Sequence, residues 1–313
     1  MPHQGRWSAE DITDLSGKTA IVTGGNSGIG FEAARELARK RAHVILACRD
    51  LDRARDAMAQ IHALLPSVSL EPMQLDLASL DSVHRFARDF TAKQIPLDIL
   101  CNNAGVMAIP YRKTAEGFEM QFGTNHLGHF ALTGLLLDAL LAAPAARVVN
   151  VSSTAHKMGR MNFDDLQGEK SYSTWPAYAQ SKLANLLFTY ELQRKLEGAQ
   201  ARAVSLACHP GYAATNLQST GPRMAGSRLM GSIMEIGNRL FSQSAAMGAL
   251  PTLYAATSPD ARGGDYIGPD GFMENNGHPK KTTSTARSHD RQVAKRLWEV
   301  SEQLTSVRYP LVG

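Results

Sequence analysis

The sequence predicts an α/β fold built as one doubly wound parallel sheet with helices on both faces, and three observations predict it. From Lys18 onward, short apolar runs alternate with longer helical patterns five or six times over. The short runs are continuously apolar rather than alternating, as strands buried on both faces must be. No repeat, low-complexity stretch or linker interrupts the pattern before about residue 215, so a single domain is expected over 1–313.

The elements follow in order after an N-terminal extension over 1–17. Thr19–Thr23 (TAIVT) is a β-branched run that stops at Gly24, and 29–39 is a helix with Ala33, Ala34, Leu37 and Ala38 at helical spacing. His43–Cys48 and 69–75 are the next strands, each followed by a helix, over 52–65 and 80–93. A strand is expected at 97–101 and one long helix over 117–141. Arg147–Val151, a helix over 177–197 and a strand at 202–206 continue the alternation. The last third differs. Residues 216–243 carry Leu229, Met230, Ile233, Met234, Ile236, Leu240 and Phe241 at helical spacing behind Gly221-Pro222 and Gly226. This reads either as an ordinary core helix or as a substrate lid, since methionine and glycine suit an adaptable surface. A helix over 244–257, a short strand near 265–267, and a C-terminal helix and tail within 272–313 close the chain.

Composition sets the outer bounds. The 313 residues are 43% hydrophobic and 20% charged, enough for a large core, which excludes a disordered or collagen-like chain. Net charge is +4 and no Lys/Arg run reaches five residues, so no nucleic-acid partner is expected. Cys48, Cys101 and Cys208 are odd in number, with no C-x-x-C, and read as reduced buried thiols rather than disulfides or a zinc site. The first fourteen residues lack the apolar core of a signal peptide, and the most lipid-like run, 131–143, is short and broken by Gly134 and Asp138. A cytoplasmic protein without a membrane anchor is expected.

Between the first strand and the first helix stands Thr23-Gly24-Gly25-Asn26-Ser27-Gly28-Ile29-Gly30. Glycines let the backbone approach a pyrophosphate, and the following helix offers unpaired N–H groups and the positive end of its dipole. A glycine-rich turn alone has a geometric explanation. Its place directly after a strand and at the opening of a helix makes it a candidate dinucleotide cradle. The T-G-x-x-x-G-x-G spacing resembles that of the short-chain dehydrogenases/reductases. That resemblance implies a Rossmann-like domain and assigns Gly24, Asn26, Ser27, Gly28, Ile29 and Gly30 to the cofactor.

The second strand ends Ala47-Cys48-Arg49-Asp50, where the adenosine ribose is read. Cys48 stands where NAD enzymes usually place an acid, and the Arg49 guanidinium can grip a 2′-phosphate, so NADP(H) is the expected cofactor and NAD(H) the alternative. Read blandly, Arg49 is a solvated surface charge, and Asp50 would oppose a phosphate if it swung that way. Asp76-Leu77 resembles the family's adenine-contacting pair, and Asn102-Asn103-Ala104-Gly105 its N-N-A-G segment, which would place Asn103, Ala104 and Gly105 along the nucleotide cleft.

Tyr178-Ala179-Gln180-Ser181-Lys182 sets a tyrosine and a lysine four apart, on one helix face. A phenol works as general acid or base only when its pKa approaches the working pH, and a nearby ammonium favours the phenolate. Alone, the pair has core packing as its commoner explanation. With Asn125 in the preceding helix and Ser153 after the fifth strand, it resembles the family's Asn–Ser–Tyr–Lys tetrad. The resemblance implies proton transfer by Tyr178, a hydrogen bond to the same substrate oxygen from Ser153, and a Lys182 that lowers the tyrosine pKa and binds nicotinamide ribose. It also implies a water-linked proton relay at Asn125. Ser152 is the competing serine; Ser153 is preferred because it follows the last strand residue by two. Pro210, Gly211 and Thr215 resemble the segment that presents one face of the nicotinamide, the pro-S face in the family.

The 25-residue spacing from Ser153 to Tyr178, with Ser181-Lys182-Leu183-Ala184-Asn185 behind the tyrosine, resembles the retinol-dehydrogenase-like branch, in a soluble bacterial form. This implies hydride transfer between the cofactor and a small-molecule carbonyl or alcohol of fairly apolar character. C=C reduction, as in the related protochlorophyllide reductases, is the alternative chemistry, and a non-catalytic NADP(H)-binding sensor the alternative class. Family members often form homodimers or homotetramers. No metal is expected: His126 and His129 lack a third ligand and read as packing and capping. His156 and Lys157, just after the candidate catalytic serine, read first as structural and second as substrate contacts, and Trp7 and Trp175 read equally as structural.

Overall fold

The computed structural model describes residues 6–212 and 243–311. Eight strands form one sheet in the order β3-β2-β1-β4-β5-β6-β7-β8. They are β1 Thr19–Thr23, β2 His43–Cys48, β3 Ser69–Gln74, β4 Ile99–Asn102, β5 Arg147–Val151, β6 Val204–Cys208, β7 Tyr266–Pro269 and β8 Pro279–Thr282. Every pairing from β3 to β7 is parallel, as the apolar runs require. The order reverses at β1 and β4, which opens a crevice at their carboxyl ends where doubly wound sheets bind ligands. The all-parallel expectation needs one correction, because β8 runs antiparallel to β7. Nine residues join the two strands, and an antiparallel return needs no helical crossover.

Alternate strand residues feed two cores. Ile21, Ile45, Leu100 and Val148 pack on one face with Phe86, Phe90, Phe130, Phe188 and Trp298. Val22, Leu46, Cys101 and Val149 pack on the other with Leu37, Ala54 and Leu253. The first face belongs to α3 (Leu80–Thr91), α5 (Gly128–Leu135), α7 (Thr174–Gly198) and α9 (Arg291–Thr305). The second belongs to α1 (Gly28–Arg39), α2 (Leu51–Leu64) and α8 (Ala245–Thr257). The two edge strands are the exceptions to two-sided burial: in β3, with β2 as its neighbour, only Met73 is buried, and in β8 only Pro279.

Both flanks of the alternating region are packed onto it. Ile12 and Leu15 enter the second core, and Trp7 meets Tyr254 edge-on at 5.2 Å. Tyr309 enters the first core and donates its hydroxyl to the Phe130 carbonyl at 2.6 Å. The lid expected over 216–243 lies outside the described residues except for Gln243.

The long helix expected over 117–141 is several pieces. A short α4 (Met120–Phe122) runs into a π-helical turn, Gly123–Leu127, then α5, then α6 (Leu137–Ala142). The wide turn carries Asn125, and such bulges are frequent at functional sites. Gly128, just beyond it, lies against Leu77: a Cβ there would come 2.5 Å from the Leu77 carbonyl oxygen.

Candidate active site

The site lies where β1, β4, β5 and β6 end. Gly24 turns out of β1 with φ +68°, and its N–H adds a last rung to β2 by donating to the Ala47 carbonyl (2.8 Å). A Cβ on Gly30 would fall on the Gly24 carbonyl and 2.6 Å from Asn103 Nδ2. Ser27 precedes α1 without a side-chain capping bond, and the first N–H groups of a helix have no partner within it. The loop and helix start therefore leave backbone donors free, the arrangement that a bound pyrophosphate would need.

Asn103 and Ala104 brace this loop. Both backbone N–H groups donate to the Thr23 hydroxyl at 2.9 Å, and Asn103 Nδ2 donates to the Thr23 carbonyl at 2.8 Å. Asn102 joins two strands, donating to Asn150 Oδ1 (2.8 Å), and reaches Thr133 (3.0 Å). At the end of β2, the Cys48 thiol receives the N–H groups of Gly25 and Asn26, and burial pushes it up to about 11. Arg49 is exposed beside it. Asp50 caps α2, its Oδ1 accepting from Asp52 and Arg53 N–H groups (3.0 and 3.1 Å), so the acid that would oppose a phosphate is held elsewhere. Asp76 Oδ1 accepts from Ala78 N–H at 3.0 Å, and Leu77 is buried.

Tyr178 and Lys182 share a face of α7 and are both buried. Ser153 hydrogen-bonds Tyr178, and its hydroxyl also accepts from Ala155 N–H (3.2 Å). Ser152 instead donates to the Lys182 carbonyl at 2.8 Å, which ties β5 to α7. Of the two serines, Ser153 is the one turned to the phenol. Lys182 Nζ donates to the Val151 carbonyl (3.1 Å) and lies 5.7 Å from the Tyr178 ring centre. Asn125 meets it across Gly105, where a Cβ would be 2.9 Å from Asn125 Oδ1 and 3.6 Å from Lys182 Nζ. The Asn125 amide accepts from Val106 N–H (2.8 Å) and donates to the Val106 carbonyl and Ser181 hydroxyl (2.9 Å each), pinning the β4 loop to α7.

The electrostatics differ from the expected depression of the tyrosine. Burial pushes Tyr178 up to about 12, against the pull of Ser153, and brings Lys182 down to about 8. In the protein alone, desolvation outweighs the ammonium, because Lys182 points at a backbone carbonyl rather than at the phenol oxygen.

Pro210 and Gly211 follow β6, Gly211 with φ +65°. Thr215 lies outside the described residues. His156 does not turn to a substrate: it is buried, with Nδ1 2.7 Å from the Ser153 carbonyl, and Nε2 accepts from Thr285 N–H at 3.3 Å. Lys157 approaches Glu274 at 3.6 Å. Two apolar residues lie beside the phenol: Met107, which had no sequence signal, and Trp175, which read equally as structural. Met107 packs on Tyr178, and half-exposed Trp175 stands edge-on to it at 6.1 Å. The pairing of His209 with Glu274, at 3.3 Å, was equally hidden, since 65 residues separate them. Among the described residues, no group of three or more His, Cys, Asp or Glu side chains is placed to hold a metal, and the three cysteines are free and buried.

Residues 18–224 match the family model of the short chain dehydrogenases. The chain is 41% identical over 308 residues to retinol dehydrogenase 14 of Homo sapiens, covering 94% of this chain and 88% of that one. Retinol dehydrogenase 13 of Homo sapiens is also 41% identical, over 95% of this chain and 87% of its own. A crystal structure of a protein from Mycobacterium paratuberculosis is 42% identical and superposes with a TM-score of 0.81, covering 98% of this chain and all of that one. A structure described as an NAD(P)-dependent gluconate 5-dehydrogenase from Beutenbergia cavernae, with bound NADP, is 26% identical with a TM-score of 0.61, over 81% of this chain and 95% of its own.

Proposed function

The chain belongs to the short-chain dehydrogenase family, in its retinol-dehydrogenase-like branch, and from that premise we propose an NADP(H)-dependent reductase of apolar carbonyl compounds that also oxidises the corresponding alcohols. The observation that carries the proposal is the meeting of Ser153, Tyr178 and Lys182 at the mouth of a dinucleotide cradle. Gly24, Asn26, Ser27, Gly28, Ile29 and Gly30 would hold the pyrophosphate, and Asp76, Leu77, Asn103, Ala104 and Gly105 would line the nucleotide cleft. Pro210, Gly211 and Thr215 would face the nicotinamide. Arg49 supports the 2′-phosphate form, because its guanidinium is exposed and its acidic neighbour caps α2.

When bound, the cofactor supplies or accepts the hydride. Tyr178 supplies the proton. A phenol held near 12 is fully protonated at neutral pH, which suits it to donate to a carbonyl oxygen during reduction. The reverse reaction needs the phenolate, so alcohol oxidation should gain as pH rises. Ser153 is aimed at the same oxygen and stabilises the charge that develops there. Lys182 adds positive charge behind the phenol and would hold the nicotinamide ribose, while Asn125 fixes the loop over Gly105 against it. Met107 and Trp175 support an apolar substrate, since they form the side-chain surroundings of Tyr178.

The test is NADPH consumption against a panel of aldehydes and ketones, retinal included, with cofactor titrations. Tyr178→Phe should abolish turnover and leave NADPH binding intact, and Arg49→Ala should weaken NADPH far more than NADH. Turnover that survives the first substitution removes Tyr178 as proton donor. Equal losses from the second remove the phosphate role of Arg49, and tight NADPH binding without turnover of any carbonyl would point to the C=C or sensor readings.

A further inference from the structure

The Pro210–Gly211 turn is held from beneath by a histidine. Gly211 N–H donates to His209 Nδ1 at 3.2 Å. A ring nitrogen that accepts a hydrogen bond carries no proton there, so Nε2 is the His209 nitrogen left to donate. That nitrogen lies 3.3 Å from Glu274 Oε2, within ion-pair distance, and neither atom has a hydrogen-bond partner among the described residues. The imidazole is wholly buried and packed on the β7 backbone, where a Cβ on Gly268 would fall on Nε2.

Glu274 is itself held in place. The Thr282 hydroxyl donates to Oε1, and Lys157 Nζ lies 3.6 Å from Oε2. His209 beside it holds the carboxyl down to about 2, so it is ionised at any working pH. The backbone points the same way: Met273 and Glu274 are successive non-glycine residues with φ +51° and +60°. Such a pair persists where the surroundings over-determine it, and it clusters at functional sites. The next residue completes the junction. Tyr212 N–H donates to the Asn275 carbonyl at 2.7 Å, and a Cβ on Gly211 would come 2.5 Å from that same oxygen.

We propose that Glu274 is a positioning residue for the cofactor: through His209 it holds the Pro210–Gly211 turn at the setting that seats the nicotinamide ring. The inference rests on the NADP(H) reading above and goes beyond it. The carboxylate fixes the imidazole tautomer, the imidazole fixes the Gly211 N–H, and the turn is fixed with it. The adenosine half of the cofactor, which belongs to the ends of β2 and β3, is independent of this chain of bonds.

That independence supplies the test. Wild type, Glu274→Ala and Glu274→Gln are titrated with NADPH, with NADH and with 2′,5′-ADP, which carries the adenosine half and no nicotinamide. Glu274→Ala should weaken NADPH and NADH alike by about tenfold, the scale of one buried hydrogen bond to a charged group, and leave 2′,5′-ADP unchanged. Glu274→Gln keeps an oxygen for the Nε2 proton and should restore most of the loss. Unchanged NADPH affinity in Glu274→Ala overturns the proposal, and so does an equal loss for 2′,5′-ADP, which would mark a general disturbance of the fold. Should Glu274→Ala fail to fold, Glu274→Asp, which draws the carboxylate back by one methylene, is read by the same criteria. Wild-type protein that binds neither NADPH nor 2′,5′-ADP overturns the cofactor reading itself, whereas normal wild-type binding with no effect of the substitutions overturns only the role of Glu274.

Discussion

His126 makes the fold's dependence on acid measurable. Its imidazole is buried among Phe122, Phe130 and Phe188, with Nε2 2.9 Å from the Ser301 hydroxyl and Nδ1 unpartnered among the described residues. Burial, with the neighbouring His129 adding to it, brings its pKa down to about 3 from an ordinary value of 6.5. The unfolded chain therefore takes up the proton first. Stability is whole above pH 6.5 and is lost progressively as pH falls from there toward 3. Linkage puts the loss between pH 7 and pH 5 at about 2 kcal/mol for this residue. His129 and His156, each brought down to about 4 by burial, follow the same sign. They add about as much apiece over the same two pH units. Together the three amount to about 6 kcal/mol, a large part of the roughly 5–15 kcal/mol that holds an ordinary domain together. The assay is urea denaturation of cofactor-free protein at pH 7 and pH 5, followed by the fluorescence of Trp298 in the adjoining core. His126→Gln keeps a polar atom for Ser301 and does not titrate. It should lose about 2 kcal/mol less than wild type between the two pH values, whatever its stability at pH 7. Equal losses in the two proteins would refute the reasoning.

Two further substitutions probe the cradle and the core. Gly30→Ala drives a methyl onto the Gly24 carbonyl and toward Asn103, so NADPH affinity should fall by more than about tenfold in a chain whose far-ultraviolet circular dichroism is unchanged. Retained affinity would mean that the loop adapts. Tyr309→Phe removes the donor to the Phe130 carbonyl and should cost about 1–2 kcal/mol in urea, with no effect on cofactor binding. A stability equal to wild type would show that bond to be dispensable.

The parallel sheet, the cradle and the tyrosine–lysine helix were legible because each is local. TAIVT followed by glycine, or a tyrosine and lysine four apart, carries its meaning within a few residues. What escaped was set by distant partners. Nothing in 117–141 announces a π-helical turn: Gly123 and Gly128 read as ordinary helix glycines until Thr114 and Leu77 are found against them. The antiparallel β8, Pro-Lys-Lys-Thr, has too little apolar content to declare itself a strand. The expectation that Lys182 lowers the Tyr178 pKa came from the family resemblance and the charge of a nearby ammonium, neither of which reports burial, and in the protein alone burial dominates both groups. His156, read as a residue that could touch substrate, is a buttress of Ser153 because Thr285, 129 positions away, closes on its other nitrogen.

The two ends of the sheet bear on how copies of this chain meet. An unpaired strand invites another backbone to extend it, the first step toward fibrillar aggregates. At one end β3 carries Pro72, which has no N–H to offer, and Glu71, tied to Lys93 at 2.6 Å. At the other, β8 begins with Pro279 and carries exposed Lys280 and Lys281. Each border is charged, and each carries a proline that has no N–H to give a ladder. Edge-to-edge pairing of two copies through either described border is thereby disfavoured.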